Sequence, residues 1–265
     1  MRRSTLALAA AAVAVVSLAG CSSSGGAATT TPSGSGSPSS SLSGTITVFA
    51  AASLTESFTT IGQQFEAAHP GTKVTFSFAA SSALAEQINS GAPADVFASA
   101  SASTMQLVVD KGGAVTPVTF ATNTMEIAVP PDNPGAVTGL SSLSSSSVKT
   151  ALCQPEVPCG AVAAQVFTNA AITVKPATLE PDVKSVLTKV ELGEVDAGVV
   201  YVTDVKAAGD KVKGLAIPAD VNASTSYPIS ALAKSGNASV AAAFVAYVVS
   251  DAGQAVLAAA GFSAP

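Results

Sequence analysis

The chain has no tryptophan, one histidine and three methionines among 265 residues, and only 5% of it is aromatic. Sugar receptors usually grip their ligands between flat aromatic faces, so the missing indoles argue against a carbohydrate ligand. The single histidine, His69, is followed by Pro70-Gly71 in a helix-stopping turn, which leaves no general base for a serine nucleophile and no His/Cys cluster for zinc. A G-x-S-x-G elbow and a P-loop are also missing, so a hydrolase is the weaker reading and the chain reads as a non-enzyme that needs no cofactor. Charge is scarce: 11% of residues are charged, and 12 basic against 17 acidic side chains give −5. Such a balance has no electrostatic footprint for nucleic acid. Nor can it draw in an anion by net charge, so any anion site must work through local dipoles.

What is present begins with an export signal. Arg2 and Arg3 precede an apolar run from Leu6 to Val16, and Ser17-Leu18-Ala19-Gly20-Cys21 follows. A basic start, a short apolar core and small residues before a cleavage point describe a secretory signal, here residues 1–20. Leu18-Ala19-Gly20-Cys21 resembles the bacterial lipobox, which implies lipidation of Cys21 and anchoring to the outer face of the cell membrane. Residues 21–44 are an uncharged Ser/Gly/Thr/Ala/Pro tract, expected to be a lipidated flexible linker. Loss of Arg2 and Arg3 leaves 12 − 2 = 10 basic against 17 acidic residues, or −7. With Cys21 acylated, Cys153 and Cys159 remain in an oxidising compartment and are expected to form a disulfide; two separate buried thiols are the alternative.

The folded part, from about Thr45, repeats one unit. Thr45–Phe49 alternates like a strand, Ala50–Ala52 follows, and Ser53 opens a helix with Leu54, Phe58, Ile61 and Phe65 at helical spacing. Lys73–Phe78 is a second strand, and Ala79-Ala80-Ser81-Ser82 leads into a second helix. Val96–Ala98 is a third strand, before a helix over about 101–111. Further strands are expected at Met125–Val129, Thr150–Cys153, Val195–Tyr201, Leu215–Ile217 and Tyr227–Leu232. Helices are expected over 161–170, from Glu180-Pro181-Asp182 onward, and over 240–249 and 253–260. The β-α alternation implies an α/β fold built on parallel sheets, with ligands at the carboxyl ends of the strands. A serine where a strand meets a helix is either an ordinary N-cap or part of an anion site made from free helix-start amides.

Six stretches together carry a family resemblance: Ala50–Leu54 (AAASL), Phe78–Ile88 (FAASSALAEQI), Gly91–Phe97 (GAPADVF), Pro155–Gly160 (PEVPCG), Pro181–Leu187 (PDVKSVL) and Gly198–Asp204 (GVVYVTD). In that order they are similar to the extracytoplasmic molybdate-binding proteins of bacterial ABC importers, from about Thr45 to Phe262. The resemblance implies two doubly wound α/β lobes joined by a hinge, of the type II periplasmic binding protein kind. Lobe 1 would comprise 45–122 and 228–265, and lobe 2 would comprise 123–227. It further implies a bound molybdate or tungstate, held by the hydroxyls and amides of Ser53 and Ser81, the amides of Cys159 and Val183, and the Tyr201 hydroxyl. Cys159 stands where the family usually has a small residue such as alanine. The implied partners are the importer's permease subunits, with the receptor itself a monomer. Sulfate and phosphate are the rival ligands, because neutral dipoles at helix starts suit them too.

Overall fold

The computed structural model describes residues 42–265; the expected signal peptide, Cys21 and residues 21–41 of the linker lie outside the described residues. The first strand, β1 (Gly44–Ala51), begins at the last residue assigned to the linker and sends Ile46 and Val48 into the interior. It runs through a single 3₁₀ turn, Ala52–Leu54, into helix α1 (Thr55–Ala68). Leu54, Phe58, Ile61 and Phe65 are all fully buried, as their helical spacing requires. His69 ends α1, its amide donating to the Phe65 carbonyl at 2.9 Å.

The same unit recurs twice: β2 (Thr72–Ala79) into α2 (Ser81–Asn89), and β3 (Val96–Ala98) into α3 (Ala102–Val109). After α3 comes a long strand, β4 (Val118–Val129), and then β5 (Thr150–Cys153), α4 (Pro158–Asn169), β6 (Thr178–Glu180), α5 (Val183–Glu191), β7 (Ala197–Tyr201) and α6 (Val202–Ala208). The chain closes with β8 (Lys213–Ala216), β9 (Ser224–Ala231), α7 (Ala238–Val249) and α8 (Asp251–Ala260). The strands join in the order β2-β1-β3-β9-β4-β7-β5-β6, with β8 also on β4. The α/β class expected from the sequence is what the structure has. No single described helix is long and apolar enough to cross a membrane.

The sheet corrects one expectation. β1, β2 and β3 are parallel, as are β5, β6 and β7, but β9 runs antiparallel to β3 and β4, and β4 antiparallel to β7 and β8. The sheet is therefore mixed. The reason lies in β4, which is seven residues longer at its start than the Met125–Val129 expected from hydrophobicity. Its first part pairs with β9, from Val118↔Ile229 to Thr124↔Ser224. Its second part, from Met125, pairs with β7 and β8. Asn222 clamps the changeover, accepting from the Met125 amide at 3.2 Å and donating to the Met125 carbonyl at 2.9 Å.

Separate apolar clusters flank this changeover. One gathers Ile46, Val48, Leu54, Phe58, Phe65, Phe120, Tyr227, Phe244 and Leu257 around edge-on and tilted aromatic pairs, with Phe58 and Phe120 5.6 Å apart and Phe65 and Phe244 5.4 Å apart. A smaller cluster around Phe97, Leu84 and Met105 backs the other face of the same strands. The third runs from Met125 to Ile217 through Ile127, Ala151, Val186, Val190, Val199 and Val200. Ala52 and Ala80 reach across into that third cluster.

Candidate functional site

Six strand-to-helix junctions meet at a single cavity. Each follows a strand and opens a helix, so each presents amides that no upstream carbonyl can satisfy. The cavity is lined by Ser53, Ser81, Cys159, Val183 and Tyr201, together with Ala51, Ala52, Ala79, Ala80, Ala100, Val157, Pro158 and Asp182. The five residues that the resemblance singles out thus come together, although up to 148 positions separate them (201 − 53). All five are at most 5% exposed. The open space is about 20 Å³, on a measure where one water needs roughly 10–15 Å³. It is therefore a small space that suits one compact group, and the surrounding alanines let that group come close to the backbone.

Ser53 is not the N-cap of a helix. It lies within the 3₁₀ turn, α1 starts two residues later, and its side chain caps nothing. Its Oγ instead lies 2.9 Å from Tyr227 Oη. Ser81 is the first residue of α2, and its Oγ accepts from the Ala100 amide at 2.9 Å. Cys159 is the second residue of α4, behind Pro158, which suits a helix start because it has no amide to satisfy. A disulfide ties Cys159 to Cys153 at the end of β5, with the Cα atoms 5.8 Å apart. Glu156, in the loop between them, is exposed. Val183 opens α5, and Asp182 caps that helix by accepting from the Ser185 amide at 2.9 Å.

Tyr201 ends β7, and its hydroxyl is buried without a hydrogen-bond partner among the described residues. Burial, with Tyr227 and Asp204 nearby, holds that hydroxyl well above the usual tyrosine pKa, so it stays a proton donor. Apart from the Asp182 carboxylate the lining is uncharged, and its helix-start amides and hydroxyls are donors of the kind that suit an oxyanion without a cationic side chain. Among the described residues, no cluster of His, Cys, Asp or Glu could hold a bare metal ion.

A charged relay lies just behind the cavity, and sequence reasoning missed it. Lys184, next to Val183, places Nζ 2.9 Å from Glu56 on α1 and 3.1 Å from the fully buried Asp204 on α6. Asp204 also accepts from the Tyr201 amide at 3.1 Å. Burial raises its pKa from 3.8 to about 6, a rise that the Lys184 charge limits. Burial alone would lower the Lys184 pKa, but Asp204 and Glu56 outweigh it and the net shift is upward. For Asp204 the native state holds its proton more tightly than the unfolded chain does. Its contribution to stability is therefore greatest at low pH and declines as pH rises from about 4 towards about 6. Tyr227 was also missed, because it sits in the strand-like run Ser224–Ala231 and reads as core. The one available signal was that a tyrosine buried in an apolar run usually has a partner for its hydroxyl.

Comparison with known proteins places these features in a family. Residues 46–263 match the model of a family described as bacterial extracellular solute-binding protein. A molybdate-binding protein of Mycobacterium tuberculosis is 41% identical over 83% of this chain and 85% of its own length. Among solved structures, the substrate-binding domain of a molybdenum ABC transporter from Clostridium difficile, designated putative, is 29% identical, with a TM-score of 0.64 over 83% of this chain and 99% of that one. The periplasmic molybdate-binding protein of Azotobacter vinelandii has a TM-score of 0.73 over 83% of this chain and 99% of that one; at 19% identity it speaks to the fold alone.

Proposed function

Because the chain belongs to the bacterial extracellular solute-binding proteins, we propose that it captures molybdate, and tungstate alike, outside the cell and delivers the anion to an ABC importer. The observation that carries this reading is the convergence of Ser53, Ser81, Cys159, Val183 and Tyr201 on one small cavity. In this reading Ser53 and Ser81 each give a hydroxyl and an amide, Cys159 and Val183 give amides, and Tyr201 gives its hydroxyl. The protein works as a receptor and not as an enzyme. It is a monomer tethered through a lipid on Cys21, and the importer's permease subunits are its partners.

The two lobes of this receptor are 45–122 with 228–265, and 123–227. β4 and β9 run side by side between them and form the hinge, and closure seals the anion between the lobes. The Glu56–Lys184 contact, which joins α1 to α5, forms on closure. The Cys153–Cys159 bridge stiffens the loop that presents the Cys159 amide and lowers the ordering cost of binding.

A ligand that binds only the native state must stabilise it. At a hundredfold excess over its dissociation constant, molybdate is expected to add roughly 2.7 kcal/mol. Thermal melts with molybdate, tungstate and a chloride control measure this. A melting temperature unmoved by saturating molybdate and tungstate rules the reading out.

A further inference from the structure

Lys184 stands where helix physics disfavours it. It is the second residue of α5, beside the cavity residue Val183, and a cation at a helix N-terminus meets the positive end of the macrodipole. Its charge therefore answers to partners outside the helix. One is Asp204 on α6, 3.1 Å away and fully buried. That carboxylate also accepts from the amide of Tyr201, another cavity residue. The other partner is Glu56 in the first turn of α1, whose two carboxylate oxygens both lie 2.9 Å from Lys184 Nζ.

These two partners lie on opposite sides of the proposed lobe division. Asp204 is in the same lobe as Lys184, so it holds the ammonium in place whether the lobes are open or closed; leaving that carboxylate buried and unpaired would be strongly destabilising. Glu56 is in the other lobe. Among the described residues, Glu56–Lys184 is the one ion pair that crosses between the lobes, since the pairs of Lys73, Lys189 and Lys211 each stay within one. We propose that Lys184 is a positioning residue that ties Val183 and Tyr201 to α1 through a clasp made only in the closed state, and that this clasp sets how long the anion stays. Opening breaks the Glu56 contact, whereas capture by the open form breaks no such contact. The clasp therefore acts on the release rate and not on the capture rate. This inference rests on the two-lobe oxyanion reading above and adds to it the residue that governs release.

Glu56 gives a test in which two effects have opposite signs, because its charge also repels a dianion in the cavity. Were repulsion its main effect, Glu56→Gln would capture molybdate faster and hold it longer. With the clasp, Glu56→Gln should release molybdate about threefold faster, the size of one partly exposed ion pair. Glu56→Asp keeps the charge and shortens the reach by one methylene; its release should quicken to the same extent, with the capture rate unchanged. On a Lys184→Met/Asp204→Asn background, which removes the cation without stranding a buried carboxylate, Glu56→Asp should change release no further. Capture and release of radiolabelled molybdate, the latter chased with unlabelled molybdate, are measured on the purified chain, and circular dichroism checks the fold of each variant. Parent-like release in Glu56→Asp, slower release in Glu56→Gln, or an equal quickening by Glu56→Asp with and without Lys184 overturns the proposal while leaving the oxyanion reading intact. A parent that binds no molybdate overturns the oxyanion reading itself.

Discussion

A chain carrying both Ser53→Ala and Ser81→Ala is expected to bind molybdate about 10²–10⁴-fold more weakly than the parent. Each hydroxyl hydrogen bond to a charged partner contributes about 1.5–3 kcal/mol, and each 1.4 kcal/mol is a factor of ten. The backbone amides at both positions remain, so weak binding should persist. The single variants should also differ without ligand, because each serine has a second duty. Ser81→Ala strands the buried Ala100 amide, and Ser53→Ala strands the Tyr227 hydroxyl. Either loss should lower unliganded stability by about 1–3 kcal/mol. Titrations and denaturant melts on the parent, both singles and the double separate the two effects. Parent-like affinity in the double variant would place the anion elsewhere.

Gly160→Ala is the second large effect, and it acts through the backbone. A Cβ at this position would run into the Gln154 carbonyl and come within 2.9 Å of the Cys153 carbonyl oxygen. Neither obstacle is a flexible side-chain tip. The loop has little freedom to yield, because the Cys153–Cys159 bridge closes it and β5 is held between β6 and β7. Overpacking of this kind costs about 1–3 kcal/mol of stability, sometimes more. The variant should also bind molybdate more weakly, since the Cys159 amide is displaced from its aim. Gly236→Ala is the control: nothing lies within 4 Å of its added Cβ, and a change of no more than about 0.5 kcal/mol is expected. If the two variants melt and bind alike, the loop is softer than this account requires.

Much of the site was legible because it is local. A strand, a run of alanines and a serine opening a helix can be read from period and residue size at Ser53 and Ser81, and Asp182 announces the start of α5 in the same way. Even so, the α-helix starts at Thr55 instead of Ser53, because one 3₁₀ turn intervenes. What stayed hidden is non-local. The first half of β4, Val118–Thr124, mixes Thr and Asn into its apolar pattern and is held as a strand by β9, a hundred residues further on. That same pairing makes the sheet mixed. Helix α6 follows β7 with no loop between them, so Val202–Ala208 carried no boundary signal. Tyr227 and the Glu56–Lys184–Asp204 relay owe their roles to neighbours far away in the chain, and no spacing rule could join them.

If this cavity is the binding site of a tetrahedral oxyanion receptor, a single anion should occupy it in each chain. Isothermal titration of the purified, ligand-free chain with molybdate, and then with tungstate, sulfate and phosphate in competition, tests it most directly. One molybdate per chain is expected, with tungstate competing on nearly equal terms and sulfate and phosphate displacing it only at much higher concentration. No saturable heat with either molybdate or tungstate, or binding that survives unchanged in Ser53→Ala/Ser81→Ala, would contradict it.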